Sequence, residues 1–151
     1  MPVFVDTNVF VYRYDATEPA KQRQAEHWLD HLWTERTGRL SIQVLQELYS
    51  SLTRKLDHPM ESAEARTVVR SLLSWDPVPV DPRTIEGAWL LQDRYSLSWW
   101  DALIVSAAQI AGCRHLLTED LSHGQDLGGV RVVDPFQTGP GEIATMKSIP
   151  R

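Results

Sequence analysis

The chain of 151 residues has little cysteine, no long apolar run and no excess of positive charge. Its single cysteine, Cys113, cannot form an internal disulfide, so nothing calls for an oxidising compartment. Neither a signal peptide nor an apolar membrane span is recognisable, so we expect a soluble cytoplasmic protein. The formal net charge of −5 excludes a surface that binds nucleic acid over its whole extent. Any such site must be local.

Strand-like and helix-like segments alternate along the chain, and its length fits one domain with a real core. Apolar runs predict strands at 3–5, 114–118 and 130–133. Helical periodicity begins near residue 17 and recurs over 41–55, 61–74, 81–95 and 98–112, with a short edge strand at 77–80. This alternation predicts an α/β domain whose central parallel sheet of four to five strands is flanked by helices. We expect the domain to span 1–136 and a flexible tail to span 137–151.

Four acidic residues stand at the ends of predicted strands or on helix surfaces. Asp6 closes the first strand, and Asp120 follows the second apolar run. Asp101 lies in the first turn of the fifth helix, and Glu47 lies opposite the apolar side of the second. Functional groups of open α/β sheets collect beyond the carboxyl ends of the strands. Carboxylates gathered there would repel one another unless a cation such as Mg²⁺ compensated their charge, so the pattern predicts a metal site.

Each acid also has an ordinary structural interpretation. Asp6 could form an Asx turn, and Asp101 could complete a capping box with Ser98. Glu47 could be a solvated helix residue, and Asp120 a simple turn acid. The joint pattern of the four argues against dismissing each one separately.

The acids lie within four short segments of distinctive sequence. These are Val5-Asp6-Thr7-Asn8-Val9, Ser41-Ile42-Gln43-Val44-Leu45-Gln46-Glu47-Leu48, Trp100-Asp101-Ala102-Leu103-Ile104 and Leu117-Thr118-Glu119-Asp120-Leu121. In order and spacing the chain resembles the PIN-domain family, and most closely the VapC-type toxins of bacterial toxin–antitoxin pairs. The resemblance extends from residue 3 to about residue 136.

The resemblance implies a metal-dependent endoribonuclease that acts as the toxin of a toxin–antitoxin pair. Its catalytic and metal-binding residues would be Asp6, Glu47, Asp101 and Asp120, around one or two Mg²⁺ or Mn²⁺ ions. Such ions activate water and stabilise charge on the scissile phosphate. Glu119 is the alternative fourth acid, and Asp120 is preferred because the family's usual spacing is Thr-x-Asp.

Several polar and aromatic neighbours are expected to support this site. Hydrogen bonds that fix a carboxylate or a metal-bound water are expected from Thr7, Asn8 and Thr118. Possible contacts with RNA are assigned to Trp99, Arg13 and Arg54, with Lys55 beside them. Trp99 could equally pack at a subunit contact. The apolar face of the fifth helix is predicted to comprise Trp100, Leu103, Ile104, Ala107 and Ala108.

The resemblance also implies an RNA substrate, a cognate antitoxin and a homodimer. Six tryptophans and several apolar helix faces favour self-association. We expect the antitoxin to lay a segment in the groove between the first helices and to direct a basic side chain toward the acids.

Two other functions stay open. A noncatalytic module with the same fold could bind RNA or a partner protein. A phosphatase of the haloacid-dehalogenase type also has an aspartate after its first strand, but it needs a second aspartate two residues later. This chain has Asn8 at that position, so the phosphatase is the weaker alternative.

Overall fold

A five-stranded sheet forms the centre of the computed structural model, which describes residues 1–145. Its strands are β1 (Val3–Val5), β2 (Gly38–Arg39), β3 (His115–Leu117), β4 (Asp126–Leu127) and β5 (Val130–Val133). They lie in the order β2-β1-β3-β5-β4. The first four in this order run parallel, and only the edge strand β4 is antiparallel to its neighbour. The predicted α/β class with a largely parallel sheet is confirmed.

Helices connect and flank these strands. They are α1 (Thr7–Tyr12), α2 (Pro19–Glu35), α3 (Ile42–Arg54), α4 (Ser62–Ser71), α5 (Pro82–Arg94) and α6 (Trp99–Ile110), with 3₁₀ turns at Leu72–Trp75 and Pro140–Thr145. The five helices with clear periodicity are confirmed close to their predicted bounds. Within residues 1–145, no helix has the length and apolar character needed to cross a membrane.

Three short elements and one edge segment differ from the sequence prediction. Helix α1 and the two-residue strands β2 and β4 were not predicted, because they are too short to show a period. The strand predicted at 77–80 is reduced to one parallel bridge between Ser41 and Val78. Pro77 and Pro79 cannot donate to a ladder, which explains why no longer strand forms.

The segment after β5 is held against helix α2 by a buried tryptophan. The Trp28 indole Nε1 donates to the carbonyl oxygens of Pro135 and Thr138, at 3.2 and 2.8 Å. Thr138 is itself buried. The described beginning of the predicted tail is therefore packed, whereas residues 146–151 lie outside the described part of the chain. A domain boundary at residue 136 stays a prediction.

The central strands β1 and β3 bring two distant parts of the sequence together. Val5 lies in register with Leu117, and the Asp6 N–H donates to the Leu117 carbonyl oxygen at 3.0 Å. Both strands are parallel, so Asp6 and Thr118 leave the sheet side by side at its carboxyl edge. This edge contains the candidate site.

Candidate active site

Asp6 is a buried carboxylic acid at the junction of β1 and α1. Its Oδ1 accepts from the Thr7 N–H at 2.7 Å, and its Oδ2 accepts from the Thr118 hydroxyl at 2.9 Å. The pKa of Asp6 is raised from 3.8 to about 7, mainly by burial and in smaller part by the negative charges of Asp120 and Glu47, while the hydrogen bonds from Thr7 and Thr118 lower it. Without a cation nearby, Asp6 is therefore only partly ionised near neutral pH.

Asn8 links the ends of the two central strands. Its Nδ2 group donates to the Thr118 hydroxyl and to Oδ2 of Asp120, each at 3.0 Å. The Thr118 hydroxyl also accepts from the Asp120 N–H at 3.1 Å. In this structure the Asn8 Oδ1 atom is buried and has no hydrogen-bond partner. The predicted supporting residues Asn8 and Thr118 thus join Asp6 to Asp120.

Glu47 reaches this cluster from helix α3. Its Oε2 accepts from the Thr7 hydroxyl at 2.6 Å, and its Oε1 accepts from Gln43 Nε2 at 2.9 Å. Gln43 precedes Glu47 by one helical turn, so this supporting contact was accessible from the sequence although we did not predict it. The two bonds hold both carboxylate oxygens of Glu47.

Asp101 lies in the first turn of α6, where Ser98 caps the helix. The Ser98 hydroxyl accepts from the Asp101 backbone N–H at 3.1 Å, so this capping bond does not use the Asp101 carboxylate. The pKa of Asp120 is raised by partial burial first, then by the charges of Glu119, Asp101 and Glu47. Asp101 and Glu47 therefore both act electrostatically on Asp120, and Glu47 and Asp120 act on Asp6.

Glu119 points into a different environment from Asp120. Its Oε2 accepts from Lys21 Nζ at 2.9 Å, and its Oε1 accepts from the Tyr12 hydroxyl at 2.5 Å. The hydrogen bond to Glu119 is the main reason that the pKa of Lys21 is raised. Because Lys21 already compensates the Glu119 charge, these contacts favour Asp120 as the fourth acid.

The site opens into a cleft of about 800 Å³. Among its lining residues are Asn8, Tyr12, Glu47, Lys55, Trp100 and Glu119. The prediction that Trp100 belongs to the core is wrong, because 63% of its surface is exposed. The first turn of α6 extends to this cleft, so the apolar stripe of the helix is not covered at that end.

The other predicted RNA contacts lie in less open surroundings or away from the acids. Trp99 is half-buried and its ring stacks on Trp89, with centroids 6.4 Å apart. Arg13 forms an ion pair with Asp30 at 3.0 Å beside a separate pocket. Arg54 is exposed at the end of α3. Of the basic residues considered, Lys55 lines the acidic cleft.

The donor atoms of the site suit a hard divalent cation, although the acids do not form a closed ligand shell. Within residues 1–145, no three His, Cys, Asp or Glu side chains are arranged to hold one metal ion. Uncompensated carboxylates repel, and here they bond to Thr7, Asn8 and Thr118 instead. Carboxylate oxygens and the unpartnered Asn8 Oδ1 are nevertheless the ligand type that Mg²⁺ and Mn²⁺ take.

The raised pKa of Asp6 predicts an unusual pH dependence of stability in metal-free protein. Between its unfolded pKa near 3.8 and its folded pKa of about 7, the folded state binds more protons than the unfolded state. The free energy of unfolding should therefore fall as pH rises through this window, by on the order of 4 kcal/mol from Asp6. Denaturant unfolding in a chelator at several pH values measures this slope.

The variant Asp6→Asn should reduce the slope and stabilise the metal-free protein above neutral pH. The pKa of Asp120 is also raised, so Asp120 likewise makes the free energy of unfolding fall as pH rises. Part of the slope should therefore remain in Asp6→Asn. Asp93→Asn, on an exposed position of α5, is the matched control and should keep the full slope. An unchanged slope in Asp6→Asn would contradict the assignment.

A model of the PIN domain matches residues 3–124 of the chain. A toxin–antitoxin complex from Klebsiella pneumoniae contains a chain of similar fold, with a TM-score of 0.62 and 19% identity over 89% of this chain and 98% of that one. No curated protein sequence matches the chain.

Two further solved structures share the fold. One is VapBC2 from Rickettsia felis bound to a promoter DNA fragment, with a TM-score of 0.59 and 15% identity over 87% of this chain and 97% of that one. The other is VapC20 from Mycobacterium tuberculosis, a toxin that cleaves the sarcin–ricin loop. Its TM-score is 0.55, with 21% identity over 85% of this chain and 98% of that one.

Proposed function

This chain belongs to the PIN domain family, and we propose that it is a metal-dependent endoribonuclease serving as the toxin of a toxin–antitoxin pair. One observation carries the proposal: Asn8 and Thr118 join Asp6 to Asp120 at the sheet edge, where Glu47 acts electrostatically on both acids and Asp101 acts on Asp120. Three structures of similar fold come from toxin–antitoxin systems, and one of those toxins cleaves RNA. Their described roles support the same role here.

The four acids would hold one or two divalent cations, Mg²⁺ or Mn²⁺. When bound, such a cation activates water and stabilises charge on the scissile phosphate and its leaving oxygen. Thr118 holds the Asp6 carboxyl by donating to its Oδ2, and Thr7 does the same for Glu47. Asn8 fixes Asp120. Because Asp6 is only partly ionised near neutral pH, binding of a cation there would favour its ionised form.

A second pocket of about 280 Å³, lined by α1, α2, α4 and the 3₁₀ turn at Leu72–Trp75, is our candidate binding site for the antitoxin. Its aromatic and aliphatic lining includes Phe10, Tyr14, Leu29, Trp33 and Trp75. The Arg13–Asp30 ion pair lies at this pocket. Apolar anchors of an antitoxin segment would fit between these side chains in the helix-in-groove mode.

The function is tested by incubating purified protein with an unstructured RNA and with Mg²⁺, Mn²⁺ or a chelator. Cleavage that requires either cation supports the proposal. RNA binding without cleavage under every condition would favour the noncatalytic module. Release of phosphate from small phosphate esters, with RNA left intact, would favour the phosphatase.

We predict a homodimer that uses the exposed apolar face of α5. Leu90 and Trp89 are 72% and 55% exposed there, and burying them would be favourable. Sedimentation at micromolar concentration should give a dimer, and Leu90→Asp should give a monomer. Leu73→Asp, at an exposed leucine of the 3₁₀ turn, is the matched control. A monomeric wild-type protein would contradict the prediction.

A further inference from the structure

Two adjacent tryptophans at the start of α6 have different surroundings. Trp99 is half-buried and stacks on Trp89, whereas Trp100 is largely exposed and lines the acidic cleft. The Trp100 carbonyl oxygen accepts from Gln43 Nε2 at 3.5 Å, and the same Nε2 donates to Glu47. The backbone of Trp100 is thus connected to the helix that carries one of the acids.

The negative charges around Trp100 indicate which part of a nucleotide its ring can contact. Asp101 follows it directly, and Glu47 lines the same cleft, so the immediate surroundings repel a bare phosphate. A nucleobase carries no charge and presents a flat π face. Stacking on an indole therefore suits a base, and Lys55 in the same cleft can compensate a neighbouring phosphate.

We propose that Trp100 stacks on an unpaired base next to the scissile phosphate and thereby restricts cleavage to RNA with accessible bases. This inference rests on the proposed function. In a duplex both faces of each base are covered by neighbouring bases, so a paired substrate offers Trp100 no face on which to stack. Trp100 is then a substrate-positioning residue, and it takes the role that the sequence had suggested for Trp99.

The experiment combines protein variants with RNA that lacks single bases. The cleaved bond is first mapped with wild-type protein and Mg²⁺ on an unstructured oligonucleotide. Each nucleotide flanking that bond is then replaced in turn by an abasic residue. We compare kcat/KM for wild type, Trp100→Ala and Trp100→Phe, with Leu73→Ala as the control at another exposed large apolar side chain, which lines neither pocket.

On intact RNA, Trp100→Ala should lose about 10- to 100-fold in kcat/KM, as expected for one base-stacking contact. Trp100→Phe should retain most of the activity and Leu73→Ala all of it. When the abasic residue is at one particular position, the kcat/KM of the wild type should fall by the same factor. The kcat/KM of Trp100→Ala should not fall further on that RNA. In an Asp101→Asn background, fluorescence anisotropy should show the same pattern in RNA affinity.

Three results would overturn the inference. The first is that Trp100→Ala lowers kcat/KM, relative to wild type, by the same factor on intact RNA and on every abasic RNA. This would indicate a structural role for Trp100. The second is RNA affinity that does not change in Trp100→Ala. The third is a shift of Trp100→Ala from dimer to monomer in sedimentation, which would place Trp100 in a subunit contact. Failure of wild-type protein to cleave any RNA with either cation is a separate outcome, because it overturns the proposed function itself.

Discussion

Replacing Asp6 or Asp101 by asparagine is expected to lower RNA cleavage by at least about a hundredfold while leaving the fold intact. Each change conserves side-chain volume and removes one charged oxygen ligand, and a catalytic cation contributes several kcal/mol of charge stabilisation. Asp6 is buried among hydroxyl and amide donors, which an asparagine oxygen can still partly satisfy. Cleavage rates with Mg²⁺, together with circular dichroism, measure the two effects.

The control for both variants is Asp93→Asn, which removes an equal charge from an exposed position of α5. It should cleave RNA at the wild-type rate. Calorimetric titration with Mn²⁺ adds a readout independent of RNA, in which Asp6→Asn and Asp101→Asn should bind the cation more weakly. Wild-type turnover by either variant would remove that residue from the proposed site.

Full silencing by a cognate antitoxin is the second large effect that we expect. An arginine or lysine of the antitoxin placed near the acids would satisfy the carboxylates much as Mg²⁺ does. Inhibitor and cation should therefore compete. The adjacent reading frame is co-expressed with this chain, the complex is purified, and RNase activity is measured against rising Mg²⁺.

A substitution in the candidate antitoxin pocket can separate antitoxin binding from RNA cleavage. Trp33 lines that pocket and not the acidic cleft, so Trp33→Glu should weaken the complex and keep the RNase activity of the free protein. Leu73→Glu, exposed on the neighbouring 3₁₀ turn, is its control. Full activity of the intact complex at ordinary Mg²⁺ would contradict occlusion and favour a housekeeping nuclease.

The fold was largely predictable because its longer helices carry clear apolar stripes and its central strands are short apolar runs. Buried Val3–Val5 and the periodic pattern of α3 are examples. The misplacement of Trp100 has a physical cause. Trp100 shares a helical face with Ile104 and Ala107, which are buried. Periodicity identifies this face, but it does not show at which residue the neighbouring elements cease to cover it.

The assignment of the four acids as the site stays a prediction, and the contacts that distinguish these acids from one another could not be predicted. Glu119 and Asp120 are adjacent in sequence, and only tertiary structure shows that Lys21 and Tyr12 bind the first of them. Similarly, the bond between Thr7 and Glu47 joins residues forty positions apart. No local pattern reports such contacts.

The pairing of β1 with β3 also determines when a growing chain can bring its acids together. Asp6 is made almost at once during synthesis, but Thr118 and Asp120 are added more than a hundred residues later, and β5 must still follow to cover β3. A ribosome-bound chain that ends before β3 has no complete set of acids. If the proposed activity is correct, we expect no RNA cleavage by a nascent chain until β3, Asp120 and β5 have been synthesised.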